Sequence, residues 1–127
     1  YRVIKVLTAT GDSLLKTASS LPAEAGVLVE CGSGPLPGGN GAAWNWADAA
    51  PLAALRPFAL AGGLDAENIV DALRLSKAAA CDVSSGVEIR PGVKSHALIQ
   101  TLVHALRAHA IETHAPSFWL PPRPPNS

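Results

Sequence analysis

An α/β fold with a parallel sheet covered by helices is predicted by three observations. Short apolar runs alternate along the chain with longer amphipathic ones. Gly, Pro or Asp marks each transition, and the runs themselves read as buried strands rather than as half-solvated ones. Four strand–helix pairs in succession then call for parallel strands with the helices packed on them.

The first strand is predicted over Val3 to Ala9 and, across Thr10-Gly11-Asp12, a helix over about Ser13 to Ser20 with Leu14, Leu15 and Ala18 on one face. Gly26 to Cys31 reads as the second strand. Gly32 to Gly41 is too rich in Gly and Pro for regular structure, and a helix over about Ala47 to Leu55 follows it. The third strand, Phe58 to Ala61, ends in Gly62-Gly63. Asp65 can cap a helix over roughly Ala66 to Lys77, with Ile69, Leu73 and the face around Leu75 at helical spacing. The fourth strand, Ala80 to Ser84, breaks at Ser85-Gly86, and a last helix, from about Ser95 to His109, sets Leu98, Leu102 and Leu106 in a row beside Ile99 and Val103.

Composition narrows the function classes. Ten Lys plus Arg balance ten Asp plus Glu, so there is no basic footprint for nucleic acid or an anionic membrane and no acidic solvating tail. With 48% hydrophobic residues the chain can build one core of ordinary domain size. No apolar run approaches the roughly 20 residues of a spanning helix, and Cys31 and Cys81 form neither a dense disulfide framework nor a CxxC pair. A soluble, cytoplasmic protein is expected. The chain begins at Tyr1 and holds no Met, so a fragment, or a chain without its N-terminal part, is also expected.

Two architectures satisfy this pattern: an open doubly wound sheet, or a stretch of a (β/α)8 barrel. Donor-rich turns after two consecutive strands favour the barrel, which commonly builds its phosphate site from the loops after strands 7 and 8. A complete barrel takes about 250 residues, so this chain, with about four βα units over residues 1–110, is expected to form a half barrel. Residues 111–127 form a Pro-rich tail. Its Phe118, Trp119 and Leu120 are expected to pack back on the body, with a polyproline-type ligand segment as the alternative.

Gly62-Gly63, between an apolar strand and a capped helix, has the form of a turn whose bare N–H groups approach an anion, although a tight turn alone would explain an isolated pair. Ser84-Ser85-Gly86 repeats the arrangement one unit later, and two such turns on neighbouring strands point to a phosphate or comparable anion. Glu30 ends the second strand on the face of Leu28, opposite Val27, Val29 and Cys31. There it either works as a general acid at the mouth of the barrel or is solvated or paired with a lysine. Asp82, in an otherwise apolar strand, requires a partner: substrate hydroxyls or a structural hydrogen-bond network. The Gly-rich segment Pro37 to Gly41 reads as an active-site cover or a plain surface connection, and at least one of Trp44 and Trp46 is expected to plug its base. His96, His104, His109 and His114 show no metal-binding spacing, and both cysteines are expected in the core, on the outer face of the sheet.

In this order the segments resemble the C-terminal half, strands 5 to 8, of the phosphoribosylanthranilate isomerase family, the (β/α)8 enzymes of tryptophan biosynthesis. The resemblance rests on Gly38-Gly39-Asn40-Gly41 with Trp44-Asn45-Trp46, on Leu60-Ala61-Gly62-Gly63-Leu64 with Glu67-Asn68, and on Asp82-Val83-Ser84-Ser85-Gly86-Val87-Glu88 with Pro91-Gly92-Val93-Lys94, over roughly Gly26 to Leu106. It implies an Amadori rearrangement of phosphoribosylanthranilate to carboxyphenylamino-deoxyribulose phosphate, an aldose–ketose isomerisation with no metal or organic cofactor. In the family a carboxylic acid at the end of the sixth strand opens the furanose ring by protonating its oxygen, and a cysteine on the first strand takes the proton from the neighbouring sugar carbon. The resemblance puts Glu30 at the acid position, where the family usually has Asp, and Asp82 at a substrate-binding position. It puts Gly39, Gly62, Gly63, Ser85 and Gly86 in the phosphate-cradling turns. Neither Cys31 nor Cys81 matches the base, which belongs to the first four strands. The expected partners are therefore a phosphosugar substrate and the N-terminal half of the barrel, in the same or a separate chain, or a second copy in a homodimer. Two other functions are compatible: a non-catalytic phosphosugar-binding half barrel, and a related phosphate-binding barrel enzyme acting on another ribosyl substrate.

Overall fold

The computed structural model describes residues 3–8, 13–31 and 46–113. Four parallel strands, β1 (Ile4–Thr8), β2 (Gly26–Glu30), β3 (Ala59–Ala61) and β4 (Ala80–Asp82), stand side by side in chain order. Four consecutive strands in sequential order occur in neither common doubly wound arrangement, whose strand order reverses at a switch point, so the barrel-type order holds.

Register places the side chains. Leu7, Val29, Leu60 and Cys81 share one row, and Thr8, Glu30, Ala61 and Asp82 share the next, one residue on and therefore on the opposite face. The first row faces the helices: Val29 and Leu60 are wholly buried, with Leu7 and Cys81 packed beside them. Burial on this face extends to Val27 and Cys31, as alternation from the sequence requires. On the opposite face Ile4 and Val6 are open to solvent.

Helix α1 (Ser13–Ser19) buries Leu14 and Ala18 and half-buries Leu15. Its terminal carbonyls are taken up locally, the Ser19 and Ser20 hydroxyls donating to Lys16 O and Thr17 O. The helix expected over 47–55 is shorter and composite. A 3-10 turn, Trp46–Ala49, leads into α2 (Ala50–Ala53), because Pro51 is tolerated only in the first turn of an α-helix. Trp46 is buried in the core, whereas Trp44 lies outside the described residues.

Helix α3 (Ile69–Ser76) starts one turn later than expected. The Asp65 carboxylate accepts from the N–H groups of Glu67 and Asn68, while Asn68 Oδ1 accepts from Asp65 N–H. This reciprocal cap holds 65–68 as a turn and lets the helix begin behind it. Its buried face is Ile69, Ala72, Leu73 and Ser76; Leu75, expected on that face, is 49% exposed.

Beyond β4 the chain departs from the expected strand and loop. The strand stops at Asp82, not Ser84, and a 3-10 turn, Ser85–Val87, leads into an antiparallel hairpin of β5 (Glu88–Arg90) and β6 (Val93–Lys94) that the apolar pattern did not signal. Gly92, at φ +81°, turns the hairpin after Pro91. Helix α4 (His96–Thr113) runs further than expected, and Ser95 Oγ caps it by accepting from Leu98 N–H. Of its predicted apolar row only Leu102 is buried; Leu106 is half-buried, and Leu98, Ile99 and Val103 face solvent.

Candidate functional site

Parallel register brings the carboxyl ends of the strands to one edge, and the chain's candidate chemistry collects there. An open cleft of about 240 Å³ lies at the ends of β2, β3 and β4, walled by Glu30, Gly62, Gly63, Asp82, Ser84 and Ser85, with Ala61 and Leu64 at its base. Glu30 and Asp82 reach it from the same row, one on either side of Ala61. A small residue between two carboxylates leaves the space in which a ligand could touch both.

The turns are glycine-dependent for identifiable reasons. Gly62 (φ +99°) and Gly63 (φ +64°) adopt conformations that L side chains rarely take. A Cβ on Gly62 would also come within 2.8 Å of the Cys31 carbonyl oxygen, so the turn after β3 lies directly against the end of β2. There Cys31 N–H donates to Ala61 O at 2.8 Å. Asn68 holds the other side of the turn, its Nδ2 donating to Gly63 O at 2.8 Å.

Glu30, Asp82, Gly62, Gly63 and Ser85, all singled out from the sequence, therefore meet in one cleft. Gly86 does not line it: its Cα packs on the main chain of Leu64 and joins the two turns from behind. Gly39 and the Gly-rich segment around it lie outside the described residues. Sequence reasoning assigned no role to Asn68 or Lys94. For Asn68 the signal was available in Asp65 and Asn68 at capping-box spacing right after the glycine pair.

Neither thiol is poised as a base. Burial, with the Glu30 charge adding to it, pushes the Cys31 thiol up to about 11, and burial followed by the Asp82 charge raises Cys81 as well. Both are free cysteines on the helix side of the sheet. Among the described residues no cluster of three or more His, Cys, Asp or Glu could hold a metal ion, and no helix is long and apolar enough to cross a membrane.

A family model described as N-(5'-phosphoribosyl)anthranilate (PRA) isomerase matches residues 4–105. The chain belongs to the phosphoribosylanthranilate isomerase family. N-(5'-phosphoribosyl)anthranilate isomerase of Desulfatibacillum aliphaticivorans is 47% identical over 92 residues, which are 72% of this chain and 42% of the relative. The structure of phosphoribosyl anthranilate isomerase from Thermococcus kodakaraensis superposes with a TM-score of 0.68 at 31% identity, covering 84% of this chain and 52% of that one. A phosphoribosyl anthranilate isomerase in complex with reduced 1-(O-carboxyphenylamino)-1-deoxyribulose 5-phosphate matches with a TM-score of 0.65 at 26% identity, over 84% of this chain and 48% of that one. The chain thus spans about half the length of the phosphoribosylanthranilate isomerases it matches.

Proposed function

We propose that this chain forms strands 5 to 8 of a (β/α)8 phosphoribosylanthranilate isomerase and supplies its general acid and phosphate site. Four further βα units, in the same or a separate chain, complete the barrel and bring the general base. The reaction is the Amadori rearrangement of N-(5'-phosphoribosyl)anthranilate to carboxyphenylamino-deoxyribulose phosphate, in the cytoplasm. The observation that carries this reading is the shared cleft of Glu30, Asp82 and the turns at Gly62-Gly63 and Ser84-Ser85.

Each residue then has a task. The Gly62-Gly63 and Ser84-Ser85 turns, with Gly86 packed behind them and Gly39 from the Gly-rich segment, hold the phosphate through backbone N–H groups. The Glu30 carboxyl gives its proton to the furanose ring oxygen as the ring C–O bond breaks, and the anilino nitrogen lone pair forms the C=N bond. The base from the other four units removes the proton on the neighbouring sugar carbon; the electrons of that C–H bond form a C=C bond while the C=N π pair returns to the nitrogen, and the resulting enolamine tautomerises to the ketone product. Asp82, exposed on the cleft side of β4, accepts hydrogen bonds from sugar hydroxyls.

Two features support the need for further units. The cleft, at about 240 Å³, is smaller than the roughly 300–1,000 Å³ of sites that enclose a whole small molecule. Apolar side chains are also open at both ends of the sheet, Ile4 and Val6 (56%) on β1 and Leu98, Ile99 and Val103 on α4, where neighbouring units of a closed barrel would cover them.

The test is loss of anthranilate fluorescence from the substrate, measured with the chain alone and with the complementary four units added. Turnover only in the mixture is expected. Turnover by the chain alone, at the mass of a dimer, would instead make a second copy the completing half. No turnover in a mixture that associates would overturn the assignment.

A further inference from the structure

Lys94 lies outside the cleft yet touches the turn that builds it. Its Nζ donates to the Ser84 carbonyl at 3.0 Å and to Ser84 Oγ at 3.2 Å, and pairs with Glu88 Oε1 at 3.3 Å. An ammonium group has three N–H donors, and these three oxygens match them in number. The rest of the junction works the same way. Ser95 N–H donates to Val87 O at 2.7 Å, so the start of α4 grips the far end of the Ser84–Val87 turn while Lys94 grips the near end. The turn's own closing bond, Val87 N–H to Ser84 O, is long at 3.3 Å. Strand β4 has already ended at Asp82, so no ladder bonds restrain Ser84 from the sheet.

We propose that Lys94 is a positioning residue for the phosphate cradle: acting through Ser84, it fixes the Ser84–Gly86 turn in the orientation that presents its N–H groups to the ligand. This rests on the phosphate reading of the cleft. Glu88, whose side chain is only 12% exposed, orients the Lys94 ammonium and also accepts from Gly92 N–H, so the hairpin holds the lysine stem in place. Losing the charge-assisted bonds to Ser84 frees the turn in the unliganded state and should weaken anion binding on the order of tenfold.

The experiment titrates the isotope-labelled chain with inorganic phosphate and follows backbone amide shifts in wild type, Lys94→Met, Lys94→Arg and Glu88→Gln. Phosphate should shift the Gly62, Gly63, Ser85 and Gly86 amides of wild type. Lys94→Met should bind about tenfold more weakly, with the unliganded Ser85 and Gly86 signals moved and those of Leu14 and Val27 in place. Lys94→Arg should recover most of the affinity, and Glu88→Gln, which removes the charge that orients Lys94 but keeps the lysine, should cost less than Lys94→Met and move the same Ser85 and Gly86 signals. Wild-type affinity in Lys94→Met would overturn the positioning role, as would shifts throughout the chain that make Lys94 a stability residue. If Lys94→Met does not fold, unmoved Ser85 and Gly86 signals in Glu88→Gln would overturn it. No phosphate-dependent shift in wild type would overturn the phosphate reading itself, and the role of Lys94 with it.

Discussion

The Cα of Gly86 sits against the carbonyl oxygen of Leu64 so closely that a Cβ on residue 86 would lie 1.9 Å from that oxygen. The turns after β3 and β4 are therefore one packed unit, and the glycine is needed for contact rather than for a left-handed backbone. Gly86→Ala must separate the turns, at a cost of about 2–3 kcal/mol, and phosphate binding should fall with it. Gly63 makes the control. It has a left-handed φ but nothing within 4 Å of its missing Cβ, so Gly63→Ala should cost only about 1–2 kcal/mol. Paired denaturant melts check the order.

The opposite end of the sheet is held by Arg56, whose guanidinium donates to the carbonyls of Ala18, Leu21, Pro22, Ala23 and Ala25 between α1 and β2. Replacing it with Met keeps much of the stem and strands these acceptors, so stability should fall by about 2 kcal/mol or more. Phosphate affinity should be unchanged, because the cleft lies at the other end of the strands. A melt and a phosphate titration on Arg56→Met test both halves of the statement.

Cys31 gives a pH signature. Its thiol is raised from an ordinary 9.0 to about 11 in the folded chain. The contribution to stability is thus complete below about pH 9 and is lost as pH rises through 11. The wild-type melting temperature should fall across that window by more than that of Cys31→Ala. Parallel slopes for the two proteins would contradict the assignment.

Much of this site was legible in the sequence because a parallel sheet converts order into place. Glu30 and Asp82 lie at equivalent ends of strands, so alternation alone put both on the same face, and the glycine pair and Ser84-Ser85-Gly86 followed as the loops of consecutive units. The hairpin was not legible: β5 and β6 are three and two residues long, too short for a period, and Pro91-Gly92 was its sole marker. Helical spacing identified the apolar row on α4 but not what covers it, so nothing in the pattern separated the open Leu98, Ile99 and Val103 from the buried Leu102. Arg56 left no pattern either, since its partners are backbone carbonyls that any residue type supplies.

The role of Glu30 as the acid is tested most directly by the turnover of phosphoribosylanthranilate in the completed barrel with Glu30→Gln and Glu30→Asp. Glu30→Gln keeps the shape and removes the proton, so turnover should fall by about 10²–10⁴-fold while binding of the reduced product analogue stays nearly intact. Glu30→Asp keeps the carboxyl of the usual family residue and should retain far more activity. Equal turnover in the two variants would contradict the account.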